Sequence, residues 1–559
     1  MPRDVSGLRS FVGLNDYEPR DIGGRLPVAL VFTQEARAGL SALGWQAVYR
    51  ILATDDRFAP ERVFFDPKKD GVTSPVSEET NRPLSQFAVV AFSLCFEEDY
   101  PRVVSMLSDA GIPPFTNQRP DYPIVIGGGP PAFINPAPLA PFFDMFFVGE
   151  AEAGLLDVFS RLHTALLSGI GKHDVLTAEK NAPGIYVPGQ STTPVKRVVA
   201  AQDSRRLHDP ASSVFISNKS EFKDMLLIEI NRGCPYACRF CAAGHVYRPP
   251  RQANFDDVWA IIERDHPKKV GLVGTALTDW PPLESLLKRL LDEKIKFSLS
   301  SVRADGITDS LLTLLRKSGS RTLTLALEGP SHRLRVAAGK NLDEADFLHA
   351  VSLAADHGIN HLKVYLIAGW PGETSDDYDE LAEFLEQIHA AGRIAKSKKK
   401  CIAHMTLAVS CLVPKPFTPM QYAPMASQDD LEAVLGRLRD MVKPFRGVRV
   451  DLDNPSRARI QGLLARGDAS LAEFVELAAK NGGRLKKALA DWPGEGHQFL
   501  DRERDKDEIF PWDVIDVGVP KALLYAGWQA YKNGQPGTPC PDDGCASCRR
   551  CHFDIGSND

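Results

Sequence analysis

NRGCPYACRFCAAGHVYRPPR, from Asn231 to Arg251, follows directly on the apolar run MLLIEI at Met225–Ile230. The run reads as a strand buried on both faces, as in a parallel sheet. Behind it Cys234, Cys238 and Cys241 are separated by three and by two residues. Parallel α/β folds place their chemistry outside the carboxyl ends of the strands, so three thiols in one turn at that position mark a site.

Outward from this stretch, strand-like and helix-like segments alternate. MLLIEI, KVGLVG, KFSLSS, TLTLAL, HLKVYLIAG and HMTLAVSCLV are apolar runs, separated by helical patterns such as DSLLTLLRKSG and DYDELAEFLEQIHA. Six such units predict a partial (βα)6 barrel over residues 224–420. Upstream, LPVALVF, ERVFF, FAVVAFSL, YPIVIGGG and DMFFVGE predict a Rossmann-like, doubly wound α/β domain within residues 1–180. NAPGIYVPGQSTTP opens an expected linker at 181–223, and residues 421–559 read as mostly helical with a Cys-rich tail.

The chain has 559 residues, 43% hydrophobic and 25% charged, with a formal net charge of −6. That composition is ordinary for a soluble multidomain protein and gives no support to a phosphate-binding surface. The run KSKKK at 396–400 reads as a solvated loop. MPRDVSGLRSFVGL lacks the apolar core of a signal peptide, and no stretch is long and apolar enough for a membrane span. The expectation is a cytoplasmic protein without a membrane partner, in which clustered cysteines hold metal rather than form disulfides.

Three thiolates do not close a tetrahedral zinc site, and His245, four residues beyond Cys241, is closer than the usual gap between ligand pairs. A [4Fe–4S] cluster fits better, because soft thiolates select it and three of them leave one iron open. An open iron can bind S-adenosylmethionine and pass an electron into its sulfonium, giving a radical able to abstract an unactivated hydrogen. The second cluster, CPDDGCASCRRC, supplies Cys540, Cys545, Cys548 and Cys551. Four thiolates saturate their metal, as a second iron–sulfur cluster or structural zinc.

C-x3-C-x2-C with Phe240 before the last cysteine resembles the signature of the radical S-adenosylmethionine superfamily. The resemblance implies that Cys234, Cys238 and Cys241 ligate the cluster. It further implies cofactor contacts at Gly274 and Thr275 after the second strand and at Ser301 and Arg303 after the third, in S-x-R-x-D. Glu328 and Arg333 after the fourth strand and Lys363 on the fifth complete that set, ahead of the glycine-rich IAGWPGET. The guanidinium of Arg333 or Arg335 suits a carboxylate. An external one-electron reductant such as a flavodoxin or ferredoxin is implied as well.

VIGGGPPAF and FFDMFFVGEAE resemble strand ends of cobalamin-binding domains attached to many radical enzymes. Ser93, Gly127, Gly128, Gly129, Gly149 and Glu150 then become the expected cobalamin contacts. No D-x-H-x-x-G follows the first strand, so no histidine would ligate cobalt from below. Methylthiotransferases carry an extra cluster on three N-terminal cysteines, whereas this domain has only Cys95. VSCLVPKPFTPMQYAP, IQGLLARGDASLAEFVELA and IFPWDVIDVGVPKALL are similar to one subgroup of fused cobalamin-binding radical enzymes. The activity implied is cobalamin-dependent methyl transfer to an unactivated carbon of a small molecule, peptide or RNA. The alternatives are a radical rearrangement, cyclisation or methylthiolation-like modification with a vestigial cobalamin domain, and an iron–sulfur electron-transfer or scaffold protein.

Overall fold

The computed structural model describes residues 11–12, 23–68, 70–200, 205–300, 302–393 and 401–541. Ser301, the run KSKKK, Cys545, Cys548 and Cys551 lie outside the described residues.

The N-terminal sheet is built from Leu26–Phe32 (β1), Phe58–Phe64 (β2), Val89–Ser93 (β3), Ile124–Gly128 (β4), Met145–Phe147 (β5) and Ile185–Tyr186 (β6). Its order is β2-β1-β3-β4-β5-β6, parallel except for the last pair. Helices Leu43–Ala53, Tyr100–Asp109 and Leu155–Leu167 connect or cover these strands, whose side chains are buried almost throughout. That double cover is why the strands read as continuous apolar runs. The order places the reversal of strand sequence beside β1 and β3, where doubly wound sheets open a crevice at their carboxyl ends.

The second sheet runs through Leu226–Glu229 (β7), Lys269–Val273 (β8), Lys296–Leu299 (β9), Thr322–Glu328 (β10), His361–Ala368 (β11), His404–Cys411 (β12) and Val448–Leu452 (β13). β7, β8 and β9 are parallel neighbours, and so are β10 to β13. A bridge from Val302 to Leu325 joins the two halves. The open barrel thus has a seventh strand inside the region expected to be helical. VRVDL is an edge strand, exposed at alternate residues, and lacks the apolar run that marks the other six. The helix Gln428–Val442 is its crossover.

The last hundred residues fasten the two domains together. Helix Ala472–Lys480 packs on Tyr100–Asp109, and the Asn135 amide donates to the carbonyls of Ala465 (3.1 Å) and Gly467 (2.8 Å). Ile515–Asp516 pairs with Val195–Lys196, inside the expected linker. Residues 181–223 are therefore anchored: their first strand, β6, belongs to the N-terminal sheet, and Phe215–Ile216 pairs with Phe11–Val12. No helix among the described residues is long and apolar enough to cross a membrane.

Candidate metal and cofactor site

The cysteine loop leaves β7 through a short antiparallel pairing of Asn231–Arg232 with Arg251–Gln252. Gly233 has φ +77°, and a Cβ there would stand 2.2 Å from the Tyr247 carbonyl oxygen. Only glycine lets the chain turn so tightly before Cys234. The loop closes on itself where Cys234 N–H donates to Ala243 (3.2 Å) and Cys241 N–H to Cys238 (3.1 Å). His245 is buried, with Nε2 3.2 Å from the Cys238 carbonyl oxygen, so the ring braces the loop. Burial and the neighbouring Arg248 push its pKa down to about 3, which keeps it neutral.

Each successive strand end delivers one contact to this loop. After β8, Thr275 Oγ1 donates to the Gly233 carbonyl (2.5 Å) while its N–H donates to Asn231 Oδ1 (2.7 Å). Gly274 leaves room for that Asn231 side chain, whose oxygen would lie 2.4 Å from a Cβ. After β9, the Arg303 guanidinium lies 3.8 Å over the Tyr236 ring and is held by Asp305. After β10, Glu328 and Lys340 flank Cys238 and Cys241, and the Cys238 thiol donates to the Gly339 carbonyl at 3.7 Å. After β11, Trp370 meets Phe240 edge-on, with ring centroids 5.3 Å apart.

The chain's C-terminal segment makes the fifth contact. Arg239 donates to the carbonyls of Gln535 (2.6 Å) and Pro536 (3.0 Å), and Cys540 N–H donates to the Pro235 carbonyl at 2.7 Å. Gly537 passes so close to Gly339 that a Cβ on it would fall 2.6 Å from the Gly339 Cα.

Burial pushes the Cys234 thiol up to about 11 and the Cys238 thiol up to about 12, with Lys340 pulling Cys238 the other way. Glu328 is also raised by burial, against the pull of Lys340, whose Nζ lies 3.6 Å away. Its backbone sits at φ +71°, where the register with β11 slips, a conformation disfavoured for a side chain of this size. No three His, Cys, Asp or Glu side chains among the described residues converge on one ion. Cys234, Cys238 and Cys241 are all free and partly buried.

Arg333 and Arg335 have partners within the chain. Arg333 donates to Asp377 and to the Gly372 carbonyl (3.0 Å), tying the β10 end to the glycine turn, and Arg335 is buried against Glu344. Lys363 is six residues before Gly369, over the Tyr365 ring at 4.9 Å. The glycine turn itself is clamped by Glu373, which accepts from the N–H groups of Gly369 and Trp370 and from Tyr378. Asn231, Lys340 and Trp370 are further members of the site that local sequence patterns do not flag.

In the N-terminal domain most of the expected cobalamin contacts have partners inside the chain. A Cβ on Gly127 would meet the Phe146 ring at 2.5 Å, one on Gly129 the Leu94 carbonyl oxygen at 2.2 Å, and one on Gly149 the Val198 carbonyl oxygen at 2.3 Å. Glu150 is a buried hub between domains, bonded to Arg251 (2.9 Å), Arg232 (3.0 Å) and Arg197 (3.4 Å). Ser93, whose side chain hydrogen-bonds Cys95, and Gly128 lie at the carboxyl edge of β3 and β4, with 4.0 Å from a Gly128 Cβ to its nearest neighbour. Residues 26–160 contain no histidine.

Residues 228–385 match the radical SAM superfamily and residues 44–188 match the N-terminal family of radical SAM proteins. The uncharacterized protein MJ0966 of Methanocaldococcus jannaschii is 28% identical over 83% of this chain and 93% of its own length. The ribosomal protein uS12 methylthiotransferase RimO of Citrifermentans bemidjiense is 29% identical over 29% of this chain, a match spanning 39% of RimO. Among solved structures, the radical S-adenosylmethionine methyltransferase TsrM of Kitasatospora setae, with cobalamin and a [4Fe–4S] cluster bound, aligns with a TM-score of 0.49 at 14% identity. That alignment covers 84% of this chain and all of TsrM (100%). The cobalamin-dependent S-adenosylmethionine radical enzyme OxsB, with aqua-cobalamin bound, aligns with a TM-score of 0.44 at 14% identity, over 91% of this chain and 80% of OxsB.

Proposed function

The chain belongs to the radical S-adenosylmethionine superfamily, and from that premise we propose that it is a cytoplasmic enzyme transferring a methyl group to an unactivated carbon with the help of cobalamin. The observation that carries the radical part is the convergence of four strand ends on the loop of Cys234, Cys238 and Cys241. A [4Fe–4S] cluster on those thiols supplies one-electron cleavage of S-adenosylmethionine. Around it, Thr275 and Asn231 fix the loop, and Glu328 and Lys340 offer a carboxylate and an ammonium beside it. The methyl-transfer part rests on the N-terminal sheet, whose carboxyl edge pairs Ser93 with Gly128 and has open space at Gly128.

The test is anaerobic reconstitution with iron, sulfide and hydroxocobalamin, followed by S-adenosylmethionine and a low-potential reductant. The expected results are 5′-deoxyadenosine in solution and, in cells fed labelled methionine, a labelled methyl group on the product. A second reading, radical rearrangement or cyclisation without cobalamin, is favoured by the internal partners of Gly127, Gly129, Gly149 and Glu150. Purified protein without cobalamin absorption bands, yet forming 5′-deoxyadenosine, selects it.

Cys540, Cys545, Cys548 and Cys551 are assigned to a second iron–sulfur centre in preference to zinc. Such a centre supplies one-electron entry from a flavodoxin or ferredoxin, and the backbone of Cys540 is held beside the first loop.

A further inference from the structure

Register fixes a row of side chains across the open side of the barrel: Tyr365 of β11 pairs with Ala408 of β12, and Ala408 with Asp451 of β13. The small Ala408 makes a floor between a phenol and a carboxylate, about 10 Å apart at two strand spacings. One pleat toward the start of β11 stands Lys363, beside Thr406. The N-terminal domain covers this floor with Phe96 and Glu98 from the loop after β3, and the helix Pro455–Arg466 closes it with Arg457. The result is an open-sided chamber of about 510 Å3 between the loop after β3 of the N-terminal sheet and the barrel. Its volume is that of a small-molecule site.

Most of its polar groups are already paired. Arg457 donates to both oxygens of Glu98 (2.6 and 2.5 Å), and Asp453 accepts from Asn454 N–H (2.8 Å) and Cys411 N–H (3.3 Å). Lys363 and Asp451 form no ion pair among the described residues, and both face the chamber. Two large aromatic side chains are exposed into the same space, Phe96 at 56% and Tyr365 at 37%. Exposed aromatic rings on two walls of a cavity suit a flat apolar group.

We propose that this chamber is the substrate site and that it takes amino-acid chemistry. The cationic amine of the ligand meets Asp451, its acidic oxygen meets Lys363, and its flat side chain lies between Phe96 and Tyr365. A nucleotide fits poorly, because Glu98 and Arg457 neutralise each other and its phosphate would then face Asp451 and Asp453 with Lys363, over the Tyr365 ring, as the one cation without an ion pair in the lining. The inference rests on the radical-enzyme reading for the role of the chamber, but the binding chemistry stands on these residues alone.

Calorimetric titration of the full chain with L-phenylalanine, phenethylamine, 3-phenylpropionate and uridine 5′-monophosphate tests it. L-Phenylalanine should bind more tightly than either of its halves. Asp451→Asn, on an exposed position of an edge strand, should weaken L-phenylalanine and phenethylamine about tenfold and leave 3-phenylpropionate unchanged. Lys363→Gln should weaken L-phenylalanine and 3-phenylpropionate about tenfold and leave phenethylamine unchanged. An added arm with L-phenylalanylglycine separates a peptide N-terminus, if it binds more tightly than the free amino acid, from a free amino acid, if it does not. The proposal is overturned if neither variant changes any probe, if uridine 5′-monophosphate binds best, or if S-adenosylmethionine displaces L-phenylalanine competitively. Formation of 5′-deoxyadenosine is measured in the same preparations. Its presence without probe binding removes the chamber assignment alone, and its absence with normal probe binding removes the radical reading alone.

Discussion

Trp370 holds Phe240 edge-on, 5.3 Å between ring centroids, and so joins the glycine turn after β11 to the residue immediately before Cys241. The indole is 2% exposed and stacks in turn on Tyr531 at 6.4 Å, in the helix Lys521–Lys532. One buried ring thus links the cysteine loop, a barrel strand and the helix Lys521–Lys532.

Trp370→Ala is therefore expected to cost about 3 to 5 kcal/mol of stability, with a cavity at the cluster loop. Iron retained after anaerobic reconstitution should fall along with the urea midpoint. Trp370→Phe keeps an aromatic edge contact and should retain most of the iron. If Trp370→Ala loads iron as the wild type does, the indole has no part in shaping the loop.

The two sets of cysteines should separate cleanly. Alanine at Cys234, Cys238 or Cys241 removes one of three thiolates and is expected to abolish 5′-deoxyadenosine formation, since no other Cys side chain on that loop replaces it. The double variant Cys540→Ala/Cys545→Ala should lose only part of the bound iron. It should still form 5′-deoxyadenosine with dithionite and lose most of that activity when a flavodoxin or ferredoxin is the donor. Equal rates with both donors in this variant remove the electron-entry role.

What could be read in advance follows from where the information sits. β1, β7, β8 and β12 announce themselves because burial on both faces makes each a nearly continuous apolar run, and β10 and β11 because buried apolar residues alternate along seven and eight residues. β13 does not, because an edge strand facing a chamber needs only alternate apolar residues and VRVDL carries charge at the others. The cysteine spacing is local and was legible at once. Asn231, Lys340 and Trp370 acquire their roles only when separate strand ends are brought to the loop, which no local pattern encodes. Gly127 shows the converse: the glycine is conspicuous in VIGGG, but the neighbour that requires it, Phe146, is nineteen residues on, in the next strand.

Glu150 makes stability depend on acid. Burial alone would raise its pKa, but Arg251, Arg232 and Arg197 outweigh that and hold it at about 2, against an ordinary 4.5. A depressed acid contributes its stability above the unfolded value and loses it as pH falls through the folded one. The contribution is about 3 kcal/mol at neutral pH and drains away between pH 4.5 and pH 2. Glu150→Gln leaves three buried guanidiniums short of a counterion and should cost about 3 to 5 kcal/mol at pH 7. The gap between the urea midpoints of variant and wild type should narrow steadily below pH 4.5. A gap that stays constant down to pH 3 would show that the carboxylate charge is not what holds the domains.

Gly128 and Gly129 are adjacent, and they should behave as opposites. Gly129 has φ +98°, and its Cβ position is occupied 2.2 Å away by the Leu94 carbonyl oxygen, part of the backbone that turns out of β3. Gly129→Ala must therefore move a main chain, and it should lower the urea midpoint sharply or prevent recovery of folded protein. Gly128 has ordinary backbone angles and its nearest neighbour is the Phe92 carbonyl oxygen at 4.0 Å, so Gly128→Ala should leave the midpoint within about 0.5 kcal/mol of wild type. That neutrality makes Gly128 the sharper probe of the edge where cobalamin is proposed to lie. A larger residue, Gly128→Leu, should fold, and it should lower the cobalamin retained after reconstitution while iron content stays unchanged. Unaltered cobalamin retention in that variant would move the corrin away from the β3–β4 edge, whereas joint loss of cobalamin and iron would point to a folding defect that circular dichroism then reveals.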